Sequence, residues 1–102
     1  MAPTTSSTNL ITNGSALFPA DAWAHIRMAL RLSDRELAVA KGIFAEQDTN
    51  EIAVETGIPA DVVYRSTQRI YIKLHIGSRM ELISRIKSEY RALLAARFNL
   101  AS

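Results

Sequence analysis

Three side chains with several hydrogen-bond donors lie close together in the segment VVYRSTQRIYIKL, residues 62–74: Arg65, Gln68 and Arg69. Arginine and glutamine have planar donor groups that make paired hydrogen bonds to base edges, and arginine also binds phosphate with two parallel bonds. Such side chains also occur on ordinary solvated helix surfaces, so their types alone leave both interpretations open. The segment contains no acidic residue, and we expect these donors to have no acid partner nearby.

The apolar residues of this segment have helical spacing. Val63, Ile70 and Leu74 fall at i, i+7 and i+11, with Thr67 between them, and therefore share one face of a helix. The pattern predicts a helix over about 61–74 that packs by this face. Its outer flanks then carry Tyr64, Arg65, Gln68, Arg69 and Ile72.

Helix signals continue on the N-terminal side. Residues 19–31 start at a proline and place Trp23, Ile26 and Leu30 on one face. Ser33 followed by Glu36 predicts a capping box for a helix that runs to about residue 45. Within that helix we expect buried residues at Leu37, Ala40, Ile43 and Phe44, and a close helix–helix approach at Gly42.

Two further helices complete an all-α chain. A short helix over 49–56 is predicted with Thr49 or Asn50 as its cap and Gly57 as its end. Ser78 is predicted to cap a last helix from Arg79 to about Phe98. The short helix, the turn with glycine and the 61–74 helix have the spacing of a helix-turn-helix motif.

The composition of the 102-residue chain limits the class of protein. Residues 1–16 contain no charged side chain and many Ser, Thr and Asn, so we expect a disordered tail over 1–18. The absence of cysteine, of a long apolar run and of a signal-peptide pattern predicts a soluble cytoplasmic protein without membrane contact. Residues 1–60 carry four Lys/Arg and seven Asp/Glu, whereas 61–102 carry eight and three. The basic second half favours a polyanion partner.

No pattern indicates catalysis. The two histidines lie fifty positions apart without the spacing of metal ligands, and no serine has the context of a nucleophile. We therefore expect no enzyme activity, no metal, no cofactor and no small-molecule ligand.

The segments LSDRELAVAKGIFAE, NEIAVETGIPADVVYRSTQRIYIKL and HIGSRMEL together resemble the LuxR-type, or GerE-type, DNA-binding domain over about residues 32–87. The matching positions are Leu32, Ser33, Arg35, Glu36, Glu51, Ile52, Ala53, Gly57, Ile58, Val63, Ile70, Tyr71, Lys73, Leu74, Ser78, Arg79 and Leu82. The resemblance implies a four-helix domain over 32–98 whose third helix enters the DNA major groove. The 19–31 helix is then an addition at its N-terminus.

The resemblance also implies roles for individual residues. Tyr64, Arg65 and Gln68 occupy positions that often contact bases in this family. We expect phosphate contacts from Arg69, Lys73 and Arg79, and from the backbone N–H groups of Thr49 and Asn50. Lys73 and Arg79 could instead pair with Glu36 or Glu81. Ala38 stands where a second glutamate of the first helix is common, so a buried ion pair of the family is expected to be missing.

The last helix has a wider apolar stripe than one small domain needs to cover. It includes Ile83, Tyr90, Leu93, Leu94 and Phe98. Either the 19–31 helix packs over this stripe or a second chain does, and we favour a homodimer that binds two half-sites of double-stranded DNA.

Two functions follow from these observations. The first is a sequence-specific transcription regulator. The second is a protein-interaction module or anti-regulator that has lost DNA binding and pairs with a larger transcription regulator through its last helix. Pro59 and Val62, which replace hydroxyl residues of the family, and Asp61 favour the second. A third reading, a fragment of a larger regulator, is disfavoured by the start MAPTT.

Overall fold

The computed structural model describes residues 18–101, with side chains through Arg97. Five α-helices and no strand are present in this range, which confirms the predicted all-α class. They are α1 (Ala20–Ala29), α2 (Asp34–Phe44), α3 (Thr49–Thr56), α4 (Ala60–Leu74) and α5 (Arg79–Ala101). The predicted tail lies outside the described residues except for Phe18.

Short polar motifs define where α2 and α3 begin. Ser33 and Glu36 form the predicted capping box, in which the Ser33 Oγ accepts from the Glu36 N–H at 3.1 Å and the Ser33 N–H donates to Glu36 Oε1 at 2.9 Å. The cap predicted for α3 was wrong: Asp48, not Thr49 or Asn50, caps this helix. The Asp48 carboxylate accepts from the Glu51 N–H, and the Glu51 carboxylate accepts from the Asp48 N–H, both at 2.8 Å. The same reciprocal box is therefore built from a D-x-x-E sequence.

The buried face of α4 is the centre of the core. Val63, Ile70 and Leu74 are buried as their spacing predicts, and each contributes about 1.5–3 kcal/mol relative to exposure. Ser66 is buried on this side as well. Since α2 and α3 both pack against α4, the orientation of its outer face is determined by the core.

Gly42 marks the expected close approach between helices. A Cβ atom added there would stand 2.5 Å from Ile52 Cγ1, so α2 and α3 meet too closely for a side chain. Ala40, Ile43 and Phe44 are buried as predicted, but Leu37 is only half-buried and Val39 is buried in addition. Residue 39 lies four positions before Ile43, on the face that meets α5 as well as α4.

The N-terminal helix packs along the last helix of its own chain. Trp23, Ile26 and Leu30 are buried together, as predicted. Phe18 stacks on Tyr90 with ring centroids 4.2 Å apart, although the predicted tail included Phe18. An ion pair links Asp21 to Arg97, and His25 Nε2 lies 3.8 Å from Glu89 Oε1. The Arg97 hydrogen bond lowers the pKa of Asp21 against the opposing effect of desolvation, and the Arg97 charge adds to the lowering. Phe18 and α1 thus cover the middle of α5.

Candidate nucleic-acid interface

The outer face of α4 is a polar surface with two apolar side chains on it. Because the buried residues occupy one side, the residues about 180° away must face solvent. The exposed residues of α4 are Asp61, Tyr64, Arg65, Gln68, Arg69, Ile72 and Lys73. Tyr64 and Ile72 expose 58% and 75% of their surface. All three predicted base-contacting residues, Tyr64, Arg65 and Gln68, therefore share one accessible surface.

Arg65 has an acid partner, and the expectation that it would have none was wrong. Its guanidinium donates to Asp61 Oδ2 at 3.1 Å, one helical turn earlier. The pair is exposed, so it contributes only about 0.2–1 kcal/mol. Arg65 can exchange this carboxylate for another acceptor at small cost, but the carboxylate stays on the same face.

Gln68 and Arg69 match the expected donor row. Both are exposed, and within residues 18–97 neither side chain has a hydrogen bond or an ion pair. Arg69 lies on the flank of α4 that faces α2, whereas Gln68 points outward from the helix. Their donors are available to an external acceptor without breaking any contact in the described structure.

Lys73 is bound within the fold. Its Nζ lies 2.6 Å from Glu36 Oε1 and 2.8 Å from the Arg31 carbonyl oxygen. Glu36 is buried; burial alone would raise its pKa, but the hydrogen bonds from Lys73 and Ser33 and the Lys73 charge together lower it. The sequence left open whether Lys73 pairs with Glu36, and this pair is the one that forms. The fold therefore contains a buried carboxylate paired with a cation, although Ala38 replaces the second glutamate that is common in the family.

Arg79 is also engaged inside the chain. Its guanidinium donates to the Gln47 carbonyl oxygen in the turn before α3, and its side chain is half-buried. Burial raises the pKa of the nearby Tyr71, an effect that the Arg79 charge partly opposes. Arg79 thus links the start of α5 to the turn that precedes the helix-turn-helix pair.

The start of α3 offers backbone donors beside two carboxylates. Thr49 and Asn50 are the first two residues of the helix, and Asn50 is exposed. The Asp48 and Glu51 carboxylates of the capping box lie at the same helix end. Any phosphate that approaches the Thr49 and Asn50 N–H groups therefore also meets negative charge.

One basic feature of this surface lies outside the predicted set. Arg35 on α2 lines a depression of about 150 Å³ together with four residues of α4. Those four are Val62, Arg65, Ser66 and Arg69. The predicted site omitted Arg35 because its position depends on how α2 packs against α4. A usable signal was the possible Glu36–Lys73 pair, since it brings residue 35 close to residue 69, one turn before Lys73.

The residues predicted for a dimer interface divide into covered and open ones. Tyr90 is half-buried under Phe18 of the same chain. Ile83, Leu93 and Leu94 are half-buried and retain some exposed surface. The Phe98 side chain lies outside the described residues. The stripe on α5 is therefore partly covered by α1, which was one of the two alternatives.

Neither a metal cluster nor a membrane helix is found in the described part of the chain. No three His, Cys, Asp or Glu side chains there are grouped so that they could hold a metal ion. Among the described helices, none is both long and apolar enough to cross a membrane.

The sequence model of the family described as bacterial regulatory proteins, luxR family, matches residues 30–86, more than half of the chain. This range contains all of α2, α3 and α4 and the start of α5. Neither a curated protein nor a solved structure matches the chain significantly.

Proposed function

Because the chain belongs to the LuxR family of bacterial regulatory proteins, we propose that it is a transcription regulator that reads the sequence of double-stranded DNA with α4. The family is one of DNA-binding regulatory domains and not of enzymes. The observation that carries the proposal is the outer face of α4, where Tyr64, Arg65 and Gln68 are exposed on a helix with a buried opposite face. Such a helix keeps its shape while it enters a groove.

The proposed docking places α4 in the major groove, with its first turns deepest. Tyr64 and Arg65 lie in the second turn and Gln68 one turn further, which is the part of a recognition helix that meets base edges. Arginine pairs best with guanine and glutamine with adenine. We therefore propose Tyr64, Arg65 and Gln68 as the base-contacting residues.

Phosphate contacts fix such a helix in register but do not select sequence. Of the predicted residues, Arg69 has a free guanidinium and is the strongest candidate. Lys73 and Arg79 are bound to acceptors within the chain, so we propose that their main role is to hold the domain together. The N–H groups of Thr49 and Asn50 are a weaker site because of the two neighbouring carboxylates.

We also propose that the protein acts in the cytoplasm as a homodimer. A two-fold symmetric regulator binds two half-sites and gains affinity and specificity from both. Since Phe18 covers Tyr90, the partner must use the open part of the stripe on α5, which includes Ile83, Leu93 and Leu94.

The decisive test is selection of binding sites from a pool of random duplex DNA at two salt concentrations. We expect one enriched sequence, arranged as two symmetric half-sites, with affinity that falls steeply with salt because counterions are released. Enrichment of a single half-site would contradict the proposed homodimer but not the proposed function as a transcription regulator. No enrichment, together with no retention of DNA at low salt, would overturn the regulator.

Substitution of the base-contacting residues should reduce discrimination between sequences. We expect Arg65→Ala and Gln68→Ala each to cost about 1–3 kcal/mol of preference for the selected site over a site changed at one base pair. Arg91→Ala is the matched control, since it removes an exposed arginine from α5. Titration of both duplexes with each variant measures the effect, and an equal loss of affinity for both duplexes would assign the residue to phosphate instead.

Removal of the Asp61 carboxylate should strengthen DNA binding. Arg65 must break its ion pair with Asp61 before it can contact DNA, and this exposed pair contributes about 0.2–1 kcal/mol. Asp61→Asn removes that cost, so the affinity for DNA should rise about 1.4- to 5-fold. Glu89→Gln removes the same charge from the side of α5 that α1 covers and should leave affinity unchanged. Weaker DNA binding by Asp61→Asn would mean that the ion pair orients Arg65 for binding.

The second candidate function is a protein-interaction module or anti-regulator that pairs with a larger transcription regulator. The Asp61 carboxylate on the outer face of α4 favours it, because phosphate would be repelled there. So does the open apolar surface of α5. Under this function the selection experiment fails, and Leu93→Asp abolishes pairing with the regulator while Arg65→Ala does not.

A further inference from the structure

The depression between α2 and α4 collects positive charge on the edge of the proposed DNA-binding surface. Three arginines line it, Arg35 from α2 and Arg65 and Arg69 from α4, around the small buried side chain of Ser66. All three arginines are exposed. Among the acidic residues that the structure describes, Asp61 alone forms an ion pair with one of these arginines, Arg65.

Besides Asp61, two acids nearby in sequence contact cations outside the depression. Glu36, adjacent to Arg35 in sequence, binds Lys73, and Asp34 lies 4.0 Å from Arg27. Arg35 and Arg69 therefore have no ion-pair partner among residues 18–97. Like charges that gather without acids repel each other in the free protein, and an anion placed between them removes this repulsion.

We propose that this depression binds one phosphate group of the DNA backbone, with Arg35 and Arg69 as its donors. The assignment rests on the proposed function of the chain and adds α2 to the DNA-binding surface. The guanidinium fork is suited to phosphate oxygens. Because Arg69 is on the flank of α4 that faces α2, the bound phosphate lies beside the groove that α4 enters.

This contact sets the position of α4 along the DNA. Arg35 comes from a second helix, and α2 is fixed to α4 by the Glu36–Lys73 pair and by the core. A phosphate held between the two helices therefore fixes both the depth and the register of α4, whereas contacts from α4 alone leave the helix free to tilt.

The experiment compares Arg35→Ala with Arg91→Ala, an equal loss of charge on α5, in full-length protein. Duplex DNA affinity is measured between 50 and 200 mM salt, and circular dichroism checks that both variants are folded. Loss of one phosphate contact lowers the slope of log affinity against log salt by about 0.9, so the deficit of Arg35→Ala should shrink about 3.5-fold across this range. Arg35→Lys keeps a point charge and should retain part of the affinity.

The outcomes separate the inference from the function on which it rests. Wild-type protein that binds no duplex overturns the proposed function itself. Wild-type binding with equal affinities and slopes for Arg35→Ala and Arg91→Ala overturns the phosphate site and leaves the function standing. A last arm replaces chloride by inorganic phosphate at equal ionic strength. A specific loss of DNA binding that Arg35→Ala abolishes supports the site, because free phosphate then competes with the DNA phosphate for the same arginines. Arg35-dependent binding of inorganic phosphate that leaves DNA affinity unchanged would assign the depression to free phosphate and overturn the assignment to DNA.

Discussion

Trp23→Ala is expected to lower the free energy of unfolding by about 3–5 kcal/mol, the range for loss of a large buried aromatic side chain. Trp23 is only 4% exposed and meets Phe18 and Phe44 with ring centroids 5.1 and 5.6 Å away. The Lys41 ammonium also lies 5.6 Å from the centre of its ring. Trp23 thus connects α1 to Phe44 and Lys41 of α2, and alanine in its place leaves a cavity in the core.

Urea or thermal unfolding followed by circular dichroism measures this effect, because Trp23 is the single tryptophan and its fluorescence disappears with the substitution. A loss of 3 kcal/mol in a domain of this size corresponds to a fall in Tm of more than about 12 °C. Met28→Ala is the control on the same helix, since Met28 is 71% exposed and should change stability by less than about 0.5 kcal/mol. A similarly small effect of Trp23→Ala would mean that α1 docks without stabilising the domain.

The helices were predictable because their signals are local. The buried stripe of α4 follows from the positions of Val63, Ile70 and Leu74, and the capping box of α2 from two residues three apart. The ion pair of Asp61 and Arg65 is equally local, at the i, i+4 spacing that favours such pairs, but Asp61 lies one residue before the acid-free segment 62–74 from which the prediction was made. The cap of α3 was misassigned by one or two residues for a similar reason, because a carboxylate serves as well as a hydroxyl.

The remaining features depend on contacts between distant residues. Lys73 meets Glu36 across 37 positions, and Phe18 meets Tyr90 from the opposite end of the chain. Helical periodicity shows which face of a helix is apolar but not which partner covers it. The stripe on α5 therefore predicted a covering element without identifying α1, and the list of basic residues could not show that Arg35 and Arg69 share a depression.

Lys73→Met is expected to destabilise the domain by about 1–3 kcal/mol, the range for leaving a buried hydrogen-bonding group without its partner, because the Glu36 side chain is buried while the Lys73 side chain is 33% exposed. Methionine keeps the aliphatic stem but leaves the Glu36 carboxylate, which is 4% exposed, without its cation. The carbonyl oxygen of Arg31 also loses its donor. Lys87→Met, on the exposed side of α5, removes the same charge and should have little effect on stability.

The destabilisation should depend on pH in a direction that the pKa of Glu36 determines. Burial raises this pKa, but the Lys73 and Ser33 contacts lower it below the ordinary 4.5, so the folded state binds fewer protons than the unfolded state in this range. The stabilisation by the ion pair is therefore complete above 4.5 and is lost as the pH falls through the lowered pKa. The gap in unfolding free energy between wild type and Lys73→Met should narrow on acidification, and a gap that stays constant would contradict a role for the carboxylate charge.

The same variant decides between the two roles of Lys73, provided that DNA binding is measured where Lys73→Met is still folded. If Lys73 only holds α2 against α4, the salt slope of DNA affinity stays at the wild-type value. If the ammonium leaves Glu36 and binds phosphate, the slope falls by about 0.9, as for any single phosphate contact. We expect the first result, because the move would leave a buried carboxylate unpaired at a cost above what one exposed phosphate contact returns.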